Sequence, residues 1–174
     1  MNLTLQLLRN PAWKVALLVP PSITSESLNP LHKSLLLPLI EKQKHFQELV
    51  TANYDKQIAC NFPVLYGLGN NLVTSGVENQ LTSACQVGVI FFEDTRITAE
   101  AVEKAKKYSV IVAGSNWNAD VLRGCGLTNV AMVNQGIDPT IFHPAPKSNL
   151  FGDRFVIFSG GKLEYRKGQD IVIA

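Results

Sequence analysis

Short, continuous apolar runs recur along this chain, and they constrain its fold more than any other feature. Lys14-Val-Ala-Leu-Leu-Val19, Val87-Gly-Val-Ile-Phe-Phe92, Ser109-Val-Ile-Val-Ala-Gly114, Asn129-Val-Ala-Met-Val-Asn134 and Phe155-Val-Ile-Phe158 are rich in β-branched residues and bounded by turn formers. Their apolar residues run together instead of alternating with polar ones. Such a strand is buried on both faces, the environment of a parallel sheet covered by helices. Helical patterns fill much of the space between. Leu35 to Val50 places Leu36, Leu39, Ile40, Phe46, Leu49 and Val50 at three- and four-residue spacing, which predicts an amphipathic helix with Pro38 near its start. Thr98 caps a second helix reaching Tyr108, and Ser115 caps a third that stops at Gly124-Cys-Gly126.

Strands alternating with helices predict an α/β fold, a Rossmann-like parallel sheet with flanking helices over most of residues 11–142. Lys56 to Phe62 adds a short strand ended by Pro63, while 22–33 and Leu72 to Ser83 read as loop. The Gly67-x-Gly69 pair carries too little pattern for a phosphate loop.

The 174 residues suffice for a full core, and 46% hydrophobic against 17% charged residues is a globular balance. A net charge of +2 gives no electrostatic case for nucleic acid or an anionic membrane. No apolar run approaches the roughly 20 residues of a membrane-spanning helix. The N-terminus lacks the basic-then-apolar order of a signal peptide, so a cytoplasmic chain is expected, with peripheral membrane contact left open. Cys60, Cys85 and Cys125 lie far apart and are expected as small buried residues in a reducing compartment. His32, His45 and His143 show no ligand spacing, so no metal site is expected.

The densest chemistry follows the last apolar run, at Ser159-Gly160-Gly161-Lys162-Leu163-Glu164-Tyr165-Arg166-Lys167-Gly168. Gly160 and Gly161 let a ligand approach the backbone, and Lys162 and Lys167 supply charge for a phosphate. Read alone, a strand-to-helix turn with solvated lysines is the favoured reading, which the neighbouring motifs tip toward a phosphate cradle, and Arg166 reads as a surface charge. Upstream, Glu93 and Asp94 end a predicted parallel strand, where such sheets bind ligands; a helix N-cap pair is the competing reading. Trp117 reads as packing.

From about Val110 onward the chain resembles the retaining, GT-B-type glycosyltransferases of the family 4 or group 1 type, which include sucrose and glycogen synthases and many lipopolysaccharide mannosyltransferases. Val110-Ile-Val-Ala-Gly-Ser115, with its helix and Gly126, resembles the strand ending in Ser before the last N-domain helix. Val133-Asn-Gln-Gly-Ile-Asp-Pro-Thr-Ile-Phe-His-Pro144 resembles the interdomain N-G-V-D-x-x-x-F-x-P segment. Gly161-Lys-Leu-Glu-Tyr-Arg-Lys-Gly168 resembles G-R-L-x-x-x-K-G, whose basic residues hold the donor diphosphate. Two positions depart from the family: Lys162 replaces an arginine, keeping the charge without the bidentate fork. The strand ending at Phe92-Glu93-Asp94 lacks the family's histidine.

The resemblance implies an acceptor-side domain at 1–142 without its first strand, a linker at 143–153, and the start of a nucleotide-sugar-binding domain at 154–174. It implies donor diphosphate binding by Gly160, Gly161, Lys162 and Lys167, acceptor-side roles for Glu93 and Asp94, and a structural hinge at Gly136 and Asp138. The donor is a nucleoside-diphosphate sugar, the acceptor a glycan, lipid or small molecule, and no cofactor is called for, because lysines neutralise the leaving group. The chain alone is expected to be an inactive fragment. The alternative is a non-catalytic binding remnant that pairs with a separately encoded C-terminal half. A nucleotide-binding oxidoreductase is disfavoured, since no Gly-x-Gly-x-x-Gly follows a first strand.

Overall fold

A computed structural model describes residues 2–18, 30–74, 79–139, 142–146 and 148–173. Val19, the Pro20-Pro21 stop and the loop expected up to Asn29 lie outside the described residues. The chain divides into two units, Met1–Ile137 and Asp138–Ala174.

The first unit is mixed α/β, with parallel strands in two sheets. It opens with α1 (Asn2–Leu8) and α2 (Pro30–Ala52). Strands β1 (Ile58–Cys60), β2 (Val64–Leu68), β3 (Leu81–Ser83) and β4 (Gln86–Ile90) follow. Then come α3 (Ala99–Ala105), β5 (Val110–Ala113), α4 (Asn116–Gly124) and β6 (Val130–Met132). The larger sheet has the order β2-β4-β5-β6, and its strands pair in parallel throughout. β1 and β3 form a separate two-stranded parallel sheet.

Both ladders belong to the same two chain segments, broken at 61–63 on one and 84–85 on the other. The first break is one residue longer, so it acts as a bulge, and Pro63 there has no amide to donate. Three hydrogen bonds span the break: the Val64 amide donates to the Cys85 carbonyl at 3.0 Å, the Ser83 hydroxyl to the Phe62 carbonyl at 2.6 Å and the buried Tyr66 hydroxyl to the Leu81 carbonyl at 3.0 Å.

The apolar runs at 87–92, 109–114 and 129–134 become β4, β5 and β6. Their inward residues, including Ile90, Ile111 and Ala113, join Ala101 and Ala105 of α3 and Ala119 and Leu122 of α4 in one buried cluster. Small alanines on both helices allow close approach to the sheet. Thr98 caps α3, its hydroxyl accepting from the Ala101 amide, and the Ser115 hydroxyl caps α4 by accepting from the Asn118 amide. α4 ends in a Schellman motif. The Leu127 amide donates to the Leu122 carbonyl at 3.3 Å and the Gly126 amide to the Arg123 carbonyl at 2.9 Å. Gly126 takes φ 90°, the left-handed geometry this stop requires.

Several expectations are corrected. Residues 14–18 form no strand; the segment is exposed or half-buried, with Leu18 packed against the core. Among the described residues it has no sheet neighbour, and its link to the rest includes the buried Gln43 amide, which donates to the Leu18 carbonyl at 3.4 Å and to Gln47 at 3.0 Å. α2 starts at Pro30, not Leu35, so Pro38 lies inside it; Pro30 suits a first helical position, where no amide bond is needed. β3 falls where loop was expected, and β2 was not expected from sequence, because it alternates buried and exposed residues around Gly67 rather than running apolar throughout. Cys85 is exposed in the break between β3 and β4, and Cys60 and Cys125 are only half-buried.

The second unit contains a short 3-10 turn at Tyr165–Lys167 and α5 (Gln169–Ile173). Phe155 to Phe158 form no strand, and Phe155 and Phe158 are each 91% exposed. A strand needs a neighbour for its backbone donors and acceptors, and the described residues of this unit offer none. The helix expected from Asp170 onward is present. Among the described residues no helix is long and apolar enough to cross a membrane.

Candidate functional site

Parallel pairing puts the carboxyl ends of β2, β4, β5 and β6 at one edge of the larger sheet. Here the chain leaves Leu68, Ile90 and Ala113 into loops, and an open cleft of about 660 Å³ forms. Asn70, Phe91, Phe92, Glu93, Asp94, Arg96 and Asn118 line it. Glu93 and Asp94 thus share one cleft, at the edge where open parallel sheets take ligands.

Three side-chain links hold these loops. The Asn118 amide, buried on the first turn of α4, donates to the Phe92 carbonyl at 3.0 Å and accepts from the Ser115 hydroxyl at 3.1 Å. The N-cap of α4 therefore also fixes the start of the loop after β4. Asn71, in the turn after β2, accepts from the Thr98 amide at 2.8 Å, joining that turn to the N-terminus of α3. Asn71 and Leu72 take φ 60° and 58°, and Leu72 is buried. Two successive non-glycine residues in the left-handed region carry backbone strain, offset here by burial and by the Thr98 bond.

The third link is Asp94 with Arg96. The guanidinium donates to both carboxylate oxygens, Nε at 2.9 and 3.1 Å and Nη2 at 2.7 Å, and the Arg96 amide donates at 3.0 Å. These bonds hold the Asp94 carboxyl ionised, lowering its pKa from 3.8 to about 2, with the Arg96 side-chain hydrogen bonds as the largest cause. Because the folded-state pKa is depressed, the pairing stabilises the fold above pH 3.8 and is lost as pH falls through about 2. In Arg96→Ala the Asp94 carboxyl should titrate above about 2 and toward its ordinary 3.8, the remaining depression coming from the backbone amide at position 96, read from its carboxyl chemical shift against pH. An unmoved midpoint would show that the guanidinium does not hold it.

Two phenylalanines, Phe91 and Phe92, complete the lining of the cleft. A Cβ on Gly114 would fall 1.8 Å from Cε1 of Phe91, so only glycine at the end of β5 leaves room for that ring. Phe91 lines the cleft and remains 51% exposed overall. Phe92 is buried, and its ring centroid lies 5.7 Å from that of Trp117, itself 52% exposed on α4. Trp117 therefore packs on one side and faces solvent on the other. Arg96, Asn70, Phe91 and Asn118 were not singled out from sequence. Polar residues in loops and a buried amide inside a helix leave no periodic signal.

A second cavity of about 400 Å³ lies between the 71–74 turn and α3, with Thr98, Lys104, Lys107 and Tyr108 on its wall. It gathers none of the site residues expected from sequence. Among the described residues no group of three or more His, Cys, Asp or Glu side chains is gathered as a metal site would require.

In the second unit, Gly161 takes φ 112° and Gly168 φ 64°, so the basic loop is bounded by two left-handed glycines. Directly after Gly168, Gln169, buried at 6% exposure, clamps the loop: Nε2 donates to the Lys162 carbonyl at 3.0 Å and Oε1 accepts from the Glu164 amide at 3.4 Å. Lys162 and Lys167 are exposed, and Arg166 pairs with Glu164 at 2.8 Å. Gly160 and Gly161 precede this loop as an exposed turn. Gly136 is exposed, and a Cβ there would meet nothing within 4 Å. The Asp138 carbonyl accepts from the Phe142 amide at 2.8 Å. Comparison of the chain with models of protein families, with curated proteins and with solved structures gave no match.

Proposed function

We propose that this chain serves a retaining transfer of a sugar from a nucleoside-diphosphate sugar to an acceptor, with a Rossmann-like, GT-B-type N-terminal domain on the acceptor side. The observation that carries the reading is the loop from Gly161 to Gly168. Its two left-handed glycines and the Gln169 clamp hold the backbone of a basic loop while Lys162 and Lys167 stay in solvent, able to meet a diphosphate. Charge building on the leaving diphosphate would be neutralised there. The parallel sheet order and the carboxylates at its carboxyl edge support an acceptor role for the first unit.

Calorimetric titration of the chain with UDP, GDP and ADP tests this. At least one should bind, and Lys162→Ala/Lys167→Ala should weaken it about tenfold or more, the equivalent of about 1.4 kcal/mol. Binding of none of the three, or binding indifferent to the double substitution, sinks the reading.

A binding remnant that pairs with a separately encoded half is favoured by one observation: the second unit leaves Phe155, Phe158 and Tyr165 more than nine-tenths exposed. Restored sugar transfer on adding a candidate second half would support it.

A further inference from the structure

We propose that segment 154–158 of the second unit pairs antiparallel with the same segment of a second copy of this chain, forming a closed two-fold dimer. The inference does not rest on sugar transfer. It concerns how this chain covers its own apolar surface.

Phe155 and Phe158 are each 91% exposed, with Val156 and Ile157 exposed between them. Among the described residues, the amides and carbonyls of 155–158 meet no backbone partner. A β-prone run without charge or proline in that state is a template for strand pairing with another chain. The other apolar runs are already covered: β4, β5 and β6 lie in the larger sheet, and 14–18 keeps Leu18 against the core. Covered phenylalanines bury roughly 150–250 Å² each. The four of a pair, with Val156 and Ile157 of both copies, offer on the order of 1,200 Å², where stable interfaces begin.

The segment also fits itself. A two-fold axis between antiparallel strands keeps each face of the ribbon on its own side, and side chains alternate faces. Residues opposite one another therefore differ by an even number of positions. Centring the pair on Val156 sets Val156 against Val156, Phe155 against Ile157 and Arg154 against Phe158 of the second copy. An aromatic residue opposite a β-branched one is a favourable cross-strand pair, and the guanidinium meets a ring instead of another charge. Centring on Ile157 would set Phe155 against Ser159 and lose one such pair. Gly152 at φ 61° and Gly161 at φ 112° turn the backbone on either side, which keeps the paired stretch short. Because the contact is isologous, it closes at two copies.

Sedimentation velocity of the full chain from roughly 1 to 200 µM, the range of micromolar affinity, tests this. The mass should rise with concentration from the 19.1 kDa monomer to twice that and stop. Ile157→Lys sets an ammonium against Phe155 of the second copy and should raise the dimer dissociation constant about tenfold or more. Position 157 is exposed, so the urea midpoint of the first unit should stay put and serves as the control for folding. A cross-link reads the register. With Cys60, Cys85 and Cys125 replaced by alanine, Val156→Cys lies opposite itself and should form an intermolecular disulfide under mild oxidation faster than Ile157→Cys. A monomer across the whole range overturns the proposal, whether or not nucleoside diphosphates bind. A dimer that Ile157→Lys leaves unchanged also overturns it, as do an open-ended series of larger species and equal cross-linking at 156 and 157.

Discussion

Leu122→Ala should destabilise the first unit by about 3–4 kcal/mol, the middle of the range for a fully buried leucine. Leu122 has no exposed surface and sits where α4 meets the sheet, in the cluster that holds Ile111, Ala113 and Ala119. It also occupies the third position from the end of a Schellman cap, where its carbonyl accepts from Leu127 and both side chains are buried in that cluster. Truncation thus removes core volume and the apolar contact that accompanies the helix stop. The neighbouring Ala119 is already small and cannot expand into the void. Urea unfolding of wild type and variant measures the loss, with an unchanged slope showing that the transition itself is the same. A cost under about 1 kcal/mol would mean that α4 is not docked on the sheet as described.

Asn118→Ala should cost about 2–3 kcal/mol, although the side chain is polar. Its amide is the donor that satisfies the Phe92 carbonyl, and a buried carbonyl stripped of its partner costs about 1–3 kcal/mol. The Ser115 hydroxyl loses its acceptor at the same time, while the backbone cap from Asn118 to Ser115 survives. Asn118→Asp is the sharper control. It keeps an acceptor for Ser115 but sets a carboxylate against the Phe92 carbonyl with no hydrogen between them, so it should be at least as damaging. If the aspartate variant matches wild type in urea, the amide is not what fixes that loop. Because Phe92 directly precedes Glu93, the same substitution should also loosen the cleft.

These two residues show what local sequence reports and what it omits. The strands β4, β5 and β6, the caps Thr98 and Ser115 and the stop at Gly126 were all readable, because each depends on residues within one element or its first turn. The runs at 14–19 and 155–158 carry the same local signal as β5, yet 14–18 and 155–158 form no strand. A strand exists only where another backbone offers its edge, and apolar composition does not report that. β2 was missed for the opposite reason. Its alternating residues and Gly67 resemble loop, while burial of Val64, Tyr66 and Leu68 against the core outweighs that weak propensity.

The cleft divides along the same line. Glu93 and Asp94 were readable as site candidates from their place after a parallel strand. Arg96 was not, since two residues of separation in a loop carry no pattern, and its capture of Asp94 is visible only as geometry. Asn118 gave no signal because a buried asparagine within a helix differs in no local way from a solvated one.

The Asn71 link bears on which sequences this position can hold during descent. Residue 71 must adopt φ 60° and must also carry an oxygen that accepts the Thr98 amide. Glycine meets the first demand and fails the second; serine and threonine meet the second at a steric cost in the left-handed region. Asparagine and aspartate alone satisfy both, and aspartate adds a negative charge beside the N-terminus of α3, where it is favoured. Sequence drift at position 71 is thereby narrowed to a single exchange, even though the residue is neither in the core nor in the cleft.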